Sequence, residues 1–196
     1  MFDRKALFDK IREVKGHPLT QADVDAVNAV LDGLQPGTDP RWLIEARKDL
    51  GLKEIPGAQH APRIINMLKL LRYPFSDDET PWCGTAMAAW MTQAGIAPPP
   101  QAYRAANWRD WGMPCTPQVG AVGVKSRVGG NHVTMIVGIT ADRKFYKGLG
   151  ANQSNGVNIA DFPVDVIDSF RWPSTVAVAG LSLPVMPRGT LVGSEA

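Results

Sequence analysis

Two residue types in this chain are scarce and chemically able: there are 2 cysteines, Cys83 and Cys115, and 3 histidines, His17, His60 and His132. A cysteine attacks as its thiolate, so a nucleophilic one needs a site that stabilises negative charge. The first turn of a helix supplies that, with unpaired N–H groups and the positive end of a dipole. The segment Thr80-Pro81-Trp82-Cys83 fits: Thr80 can cap a helix, Pro81 suits its first position, and Cys83 then falls in the first turn. The same amides would hold the oxyanion formed when a thiolate adds to a carbonyl. The upstream run Asp77-Asp78-Glu79 would oppose thiolate formation if it pointed inward, so it is expected to face solvent or to pair with Arg or Lys. Cys115, between Pro114 and Thr116-Pro117, reads as a loop thiol, and a Cys83–Cys115 bridge is the alternative use of the pair.

A base for such a thiol must titrate near neutrality. His17 lies in a turn and His60 just ahead of a helix start, where capping or surface roles are expected. His132 follows Gly129-Gly130-Asn131 and opens a strongly apolar strand, a position from which a sheet presents a reactive group. A third group should orient its ring. If the strands 132–139 and 144–149 pair as a hairpin around Ala141-Asp142-Arg143, the residue opposite His132 is 151 or 152. Asn152 is the polar candidate there, and a slip of one brings Gln153 to the same place, so both stay open.

The elements that must position these groups follow from hydrophobic spacing. A helix over 2–15 carries Phe2, Leu7, Phe8, Ile11 and Val14 near one side, and a second starts at Thr20 with Asp23 three residues on, running to Gly33. The two form a helical hairpin over 1–36. A turn-rich stretch, Gln35 to Pro40, leads to a main domain over 40–185, and 186–196 reads as a flexible tail. Helices are expected over 41–50, 62–72 and from the Thr80 cap to Gly95; short apolar runs then predict strands at 120–124, 132–139, 144–149, 156–159 and 176–183. Helices first and an antiparallel sheet second give an α+β domain.

Composition narrows the classes. With 196 residues, 44% hydrophobic and 20% charged, the chain can build one good core plus a small appendage. A net charge of +2, without a like-charge block, makes no case for nucleic acid. No segment is long enough for a membrane span, and the charged N-terminus does not read as a signal peptide, so synthesis in the cytoplasm without membrane insertion is expected. No cofactor motif occurs, and no Cys or His spacing suits zinc; the acidic run also lacks the pattern of a calcium loop.

The ordered set Pro81-Trp82-Cys83, Gly130-Asn131-His132-Val133, Gly150-Ala151-Asn152-Gln153 and Arg171-Trp172-Pro173 resembles the papain-like cell-wall hydrolases of CHAP and NlpC type, in particular the phage endolysin subgroup. Glu54-Ile55-Pro56-Gly57 and Trp108-Arg109-Asp110-Trp111-Gly112 resemble it too, and the likeness covers roughly residues 40–173. It implies a papain-like fold, helices packed on a central antiparallel sheet, and a monomeric amidase or endopeptidase of bacterial peptidoglycan. Its triad would be Cys83, His132 and Asn152, with Gln153 near the substrate. It also implies action on the wall after release by a holin or delivery by a virion. Ala151 departs from that subgroup, which usually has a second glycine there. The hairpin over 1–36 resembles the helical segment ahead of the catalytic domain in some phage lysins, and packing on that domain is its first expected role. Among 6 tryptophans, Trp82, Trp108 and Trp111 lie where they could rim a substrate cleft, Trp82 as a groove wall beside the nucleophile, while Trp42, Trp90 and Trp172 read as core. A non-catalytic wall-binding or virion module of the same fold, and an interbacterial wall toxin, are the competing functions.

Overall fold

A computed structural model of the chain describes residues 4–20, 23–24, 39–127, 130–178 and 180–189. The chain divides into two compact units, 1–38 and 39–196. In the first, helix α1 spans Arg4–Lys15 and stops at Gly16, whose φ of 69° is left-handed. Val14, expected on the buried side of this helix, is 82% exposed. Thr20 and Asp23 form the expected reciprocal cap: the Asp23 carboxylate accepts from the Thr20 backbone N–H at 2.9 Å, and the Thr20 hydroxyl oxygen accepts from the Asp23 N–H at 3.2 Å. Most of the second hairpin helix lies outside the described residues.

The second unit is α+β. Three α-helices, α2 (Arg41–Lys48), α3 (Pro62–Leu71) and α4 (Cys83–Gln93), precede a seven-stranded sheet. Its strands are β1 (Met113–Pro114), β2 (Val122–Arg127), β3 (Gly130–Thr140), β4 (Phe145–Gly150), β5 (Asn158–Pro163), β6 (Ile167–Trp172) and β7 (Val185–Met186). The order is β1-β6-β2-β3-β4-β5, all antiparallel, with β7 added parallel to the end of β3.

Helix α4 is the centre of the unit. Every residue from Cys83 to Met91 is buried, so the helix is enclosed on all sides rather than on one stripe. Its small residues permit that close approach: a Cβ on Gly84 would lie 2.4 Å from the Ala102 carbonyl oxygen and 2.5 Å from that of Tyr103. One carboxylate ties the three helices together. Asp49, just after α2, takes both arms of Arg63 from α3 at 2.7 and 2.9 Å and the Trp90 indole N–H from α4 at 2.8 Å.

One expectation is corrected. Among the described residues of 176–183 there is no strand; Gly180 is left-handed there, and the run ends on Pro184. A strand that was not expected is β6, whose charged and apolar residues are interleaved too irregularly to be read as one. Residues 187 and 189 bond to the buried Lys147–Asp161 pair. Lys147 also donates to the Pro187 carbonyl at 3.1 Å, and Asp161 accepts from the Gly189 N–H at 2.9 Å.

Candidate functional site

Cys83 is the first residue of α4, as the first-turn argument requires, but the cap is not Thr80. The helix begins two residues later than the Thr80-Pro81 pattern suggests, with Trp82 at the N-cap, whose side chain makes no cap hydrogen bond. Cys83 is 7% exposed, and neither it nor Cys115 is in a disulfide. Burial pushes the Cys115 thiol up, against smaller lowering from Gln118 and Arg171.

Of the acidic run, Glu79 is exposed and Asp77 half-buried, but Asp78 does not face solvent. Asp78 is fully buried and accepts from the N–H groups of Ile55 at 3.0 Å and Ala61 at 2.8 Å, and it pairs with His60 Nδ1 at 2.9 Å. Burial alone would raise its carboxyl, but those amides and His60 outweigh it and hold the group below its ordinary value. Asp77 accepts from the Thr80 N–H and Glu79 from that of Gly57. The run therefore organises the loop 55–61. The backbone donors to Asp78 and Glu79 come from a distant segment, which the sequence run alone does not show. His60, expected to cap or sit at the surface, is the partner of Asp78.

His132 is buried near the start of β3, and its Nε2 lies 3.2 Å from Gln153 Oε1. The Gln153 amide can only be placed one way round. Its Nε2 donates to the Asn158 carbonyl at 2.9 Å and to that of Gly148 at 3.3 Å, so Oε1 is the atom turned to the imidazole. The Thr134 hydroxyl donates to the same Oε1 at 3.2 Å. An acceptor facing Nε2 requires Nε2 to carry a proton, which leaves the lone pair of the neutral ring on Nδ1. The Phe162 ring stacks parallel to the imidazole at 5.8 Å, and shields the contact from water.

The hydrogen bond expected of Asn152 is thus made by Gln153. Extending the register Met135↔Leu149 does put residue 152 opposite 132, but β4 ends at Gly150 and Asn152 turns left-handed with φ 56°. The chain folds back there, and the next side chain returns under His132. Glycine makes the room: a Cβ on Gly150 would lie 2.3 Å from Gln153 Oε1, and one on Gly148 would lie 2.6 Å from both the Thr134 hydroxyl and the Phe162 ring. Ala151 is fully buried, and it is not among the residues with positive φ, so this turn does not need a glycine there.

The segment before Cys83 and the turn that carries Gln153 are joined by a link that sequence reasoning quoted without a role. The Trp82 indole N–H donates to Glu54, and the Glu54 N–H donates to the Asn155 carbonyl at 3.1 Å. Val133 and Met135 belong to the apolar cluster that includes Cys83, whereas His132 and Thr134, one residue out of phase, meet Gln153 and Phe162. Thr134 was legible as the next same-face residue after His132. Phe162 carried no local signal, because it reaches the ring across β4.

Trp42, Trp90 and Trp172 are buried in the core, as expected. Trp82 and Trp108 are buried, and Trp108 donates to the Ala102 carbonyl at 2.8 Å, so neither is a groove wall. Trp111 is 9% exposed and stacks edge-on with Trp108. It borders an open groove of about 550 Å³ with Pro98, Pro99, Pro100 and Asn107; Cys83, His132 and Gln153 are not in its lining. No family model and no curated protein matches this chain. Among the described residues, no helix is long and apolar enough to cross a membrane, and no group of three or more His, Cys, Asp or Glu could hold a metal ion.

Proposed function

We propose that the chain is a cysteine amidohydrolase of papain-like build that cleaves an amide bond in the peptide of bacterial peptidoglycan, as a phage endolysin does. The observation that carries the chemistry is the buried His132–Gln153 contact, which demands the tautomer with its lone pair on Nδ1. The wall substrate rests on the resemblance of Pro81-Trp82-Cys83, Gly130-Asn131-His132 and Gly150-Ala151-Asn152-Gln153 to the endolysin subgroup.

In this reading His132 Nδ1 takes the Cys83 proton, and the thiolate adds to the scissile carbonyl. The first-turn amides of α4 stabilise the thiolate and then the oxyanion. His132 returns the proton to the leaving amine, and water attacks the thioester to regenerate the thiol. Gln153 keeps the ring oriented, and Thr134 keeps Gln153 oriented. The reading requires Cys83 Sγ and the Nδ1 side of the ring to meet at the sheet end where β3 begins and β4 finishes.

Purified sacculi test it. The native chain releases new amino groups, and both Cys83→Ala and His132→Ala abolish that release. Retained release in both variants overturns the mechanism. Sedimentation of the native chain with sacculi, without any new amine, would favour a wall-binding module instead.

A further inference from the structure

Glu54 lies outside every element of the second unit, yet it joins two parts of the site. Its carboxylate accepts the indole N–H of Trp82, the N-cap immediately before Cys83. Its own N–H donates to the Asn155 carbonyl, in the turn that carries Gln153. The segment is held on both sides of that link: Gly51 and Leu52 exchange backbone hydrogen bonds with Val157, and Lys53 bridges Gly156. A surface segment without other duties would not need a carboxylate aimed at a buried indole. Trp82 is 1% exposed, and its own side chain makes no cap hydrogen bond to the first turn of α4.

Two acidic neighbours make the contact more telling. Burial pushes the Glu54 carboxyl up, the Trp82 N–H pulls it down, and the charges of Asp78 and Glu79 push it up again. A carboxylate placed against such opposition is there for the hydrogen bond it accepts.

We infer that Glu54 is a positioning residue: through Trp82 it sets the start of α4, and hence Cys83 Sγ, relative to the turn that carries Gln153. This rests on Cys83 being the nucleophile of the proposed reaction. Glu54 touches no reacting atom. Its effect therefore falls on kcat and on thiol reactivity, with KM little changed.

The test uses the full chain and four variants, Glu54→Ala, Glu54→Gln, Trp82→Phe and the Glu54→Ala/Trp82→Phe double. Two readouts are taken: amine release from sacculi, and the pH profile of Cys83 alkylation by iodoacetamide, resolved from Cys115 by peptide mass spectrometry. Glu54→Ala is expected to lower both kcat and the alkylation rate roughly tenfold, the worth of one good hydrogen bond. Glu54→Gln, which keeps an acceptor oxygen, restores most of both. Trp82→Phe removes only the donor and should match Glu54→Ala, with the double variant no worse than either single. Native alkylation and kcat in Glu54→Ala, or fully additive losses in the double, overturn the inference. If Cys83→Ala is inactive while Glu54→Ala is native, the inference alone fails; if Cys83→Ala stays active, the proposed reaction fails.

Discussion

Gln153→Ala separates the two candidates for the third residue, and its size can be worked from contacts. The side chain is 1% exposed; its oxygen faces His132 and Thr134, and its nitrogen donates to Gly148 and Asn158. Truncation leaves the Thr134 hydroxyl and at least one carbonyl short of a partner, at ~1–3 kcal/mol each. With the volume lost, the expected destabilisation is about 3–5 kcal/mol, against roughly 5–15 kcal/mol for a typical domain. The variant should therefore fold with a lower urea midpoint. Its turnover, measured by amine release well below that midpoint, should fall at least about tenfold, because the imidazole is no longer held in one tautomer. Asn152→Ala is the control. It strains a left-handed residue at a cost of ~1 kcal/mol but leaves the imidazole contact in place, so turnover should stay within about threefold of native. Native midpoint and turnover in Gln153→Ala, or a larger turnover loss in Asn152→Ala, would refute the assignment.

Gly84→Ala should lower the thermal midpoint sharply, because its Cβ would meet two backbone carbonyls at 2.4 and 2.5 Å; overpacking of this kind costs ~1–3 kcal/mol or more, and a native midpoint would show that the 102–103 segment is free to shift. Asp78 has its pKa lowered on folding, so it adds stability above its unfolded value near 4 that is lost as pH falls through the folded value. Urea midpoints taken from neutral to acid pH should accordingly fall less steeply in Asp78→Asn than in the native chain, with a lower midpoint at neutrality, and parallel profiles would contradict this. Lys147→Ala should cost ~3–5 kcal/mol by stranding the buried Asp161, whereas Lys147→Met paired with Asp161→Leu should recover much of it. Limited proteolysis near residues 187–189 should speed up in both, since each loses the contacts that hold the tail.

Much of the helical part was legible because helix signals are local. Pro62 opens α3, Trp42, Leu43 and Ala46 make the buried stripe of α2, and Gly95 follows the end of α4 with φ 79°. The central strands were legible from their apolar runs. What escaped depended on pairing between distant segments. β1 is 2 residues long and exists only against β6, and β6, with no regular alternation of its own, is held between β1 and β2. The run 176–183 had the composition of a strand, but its described residues form none, and 185–186 pair beside the end of β3.

The site divides along the same line. The place of Cys83 in a first helical turn was legible because a helix start is a local event, and that of His132 near the start of a strand because an apolar run follows it. The third residue was not, although the register argument was sound as far as the strand went. Opposite His132 the ladder has already ended, and the identity of the orienting group is decided by how the chain leaves the sheet. A left-handed Asn152 reverses it, Gly148 and Gly150 leave the volume, and the longer glutamine side chain then reaches both the imidazole and the carbonyls below. Asparagine and glutamine differ by one methylene, and the side chain that meets the ring is the longer one. Composition in this stretch, Gly-x-Gly followed by two amides, was readable as a turn. Which amide faces the ring required knowing where β4 stops, and strand ends are set by partners rather than by the residues at the end themselves.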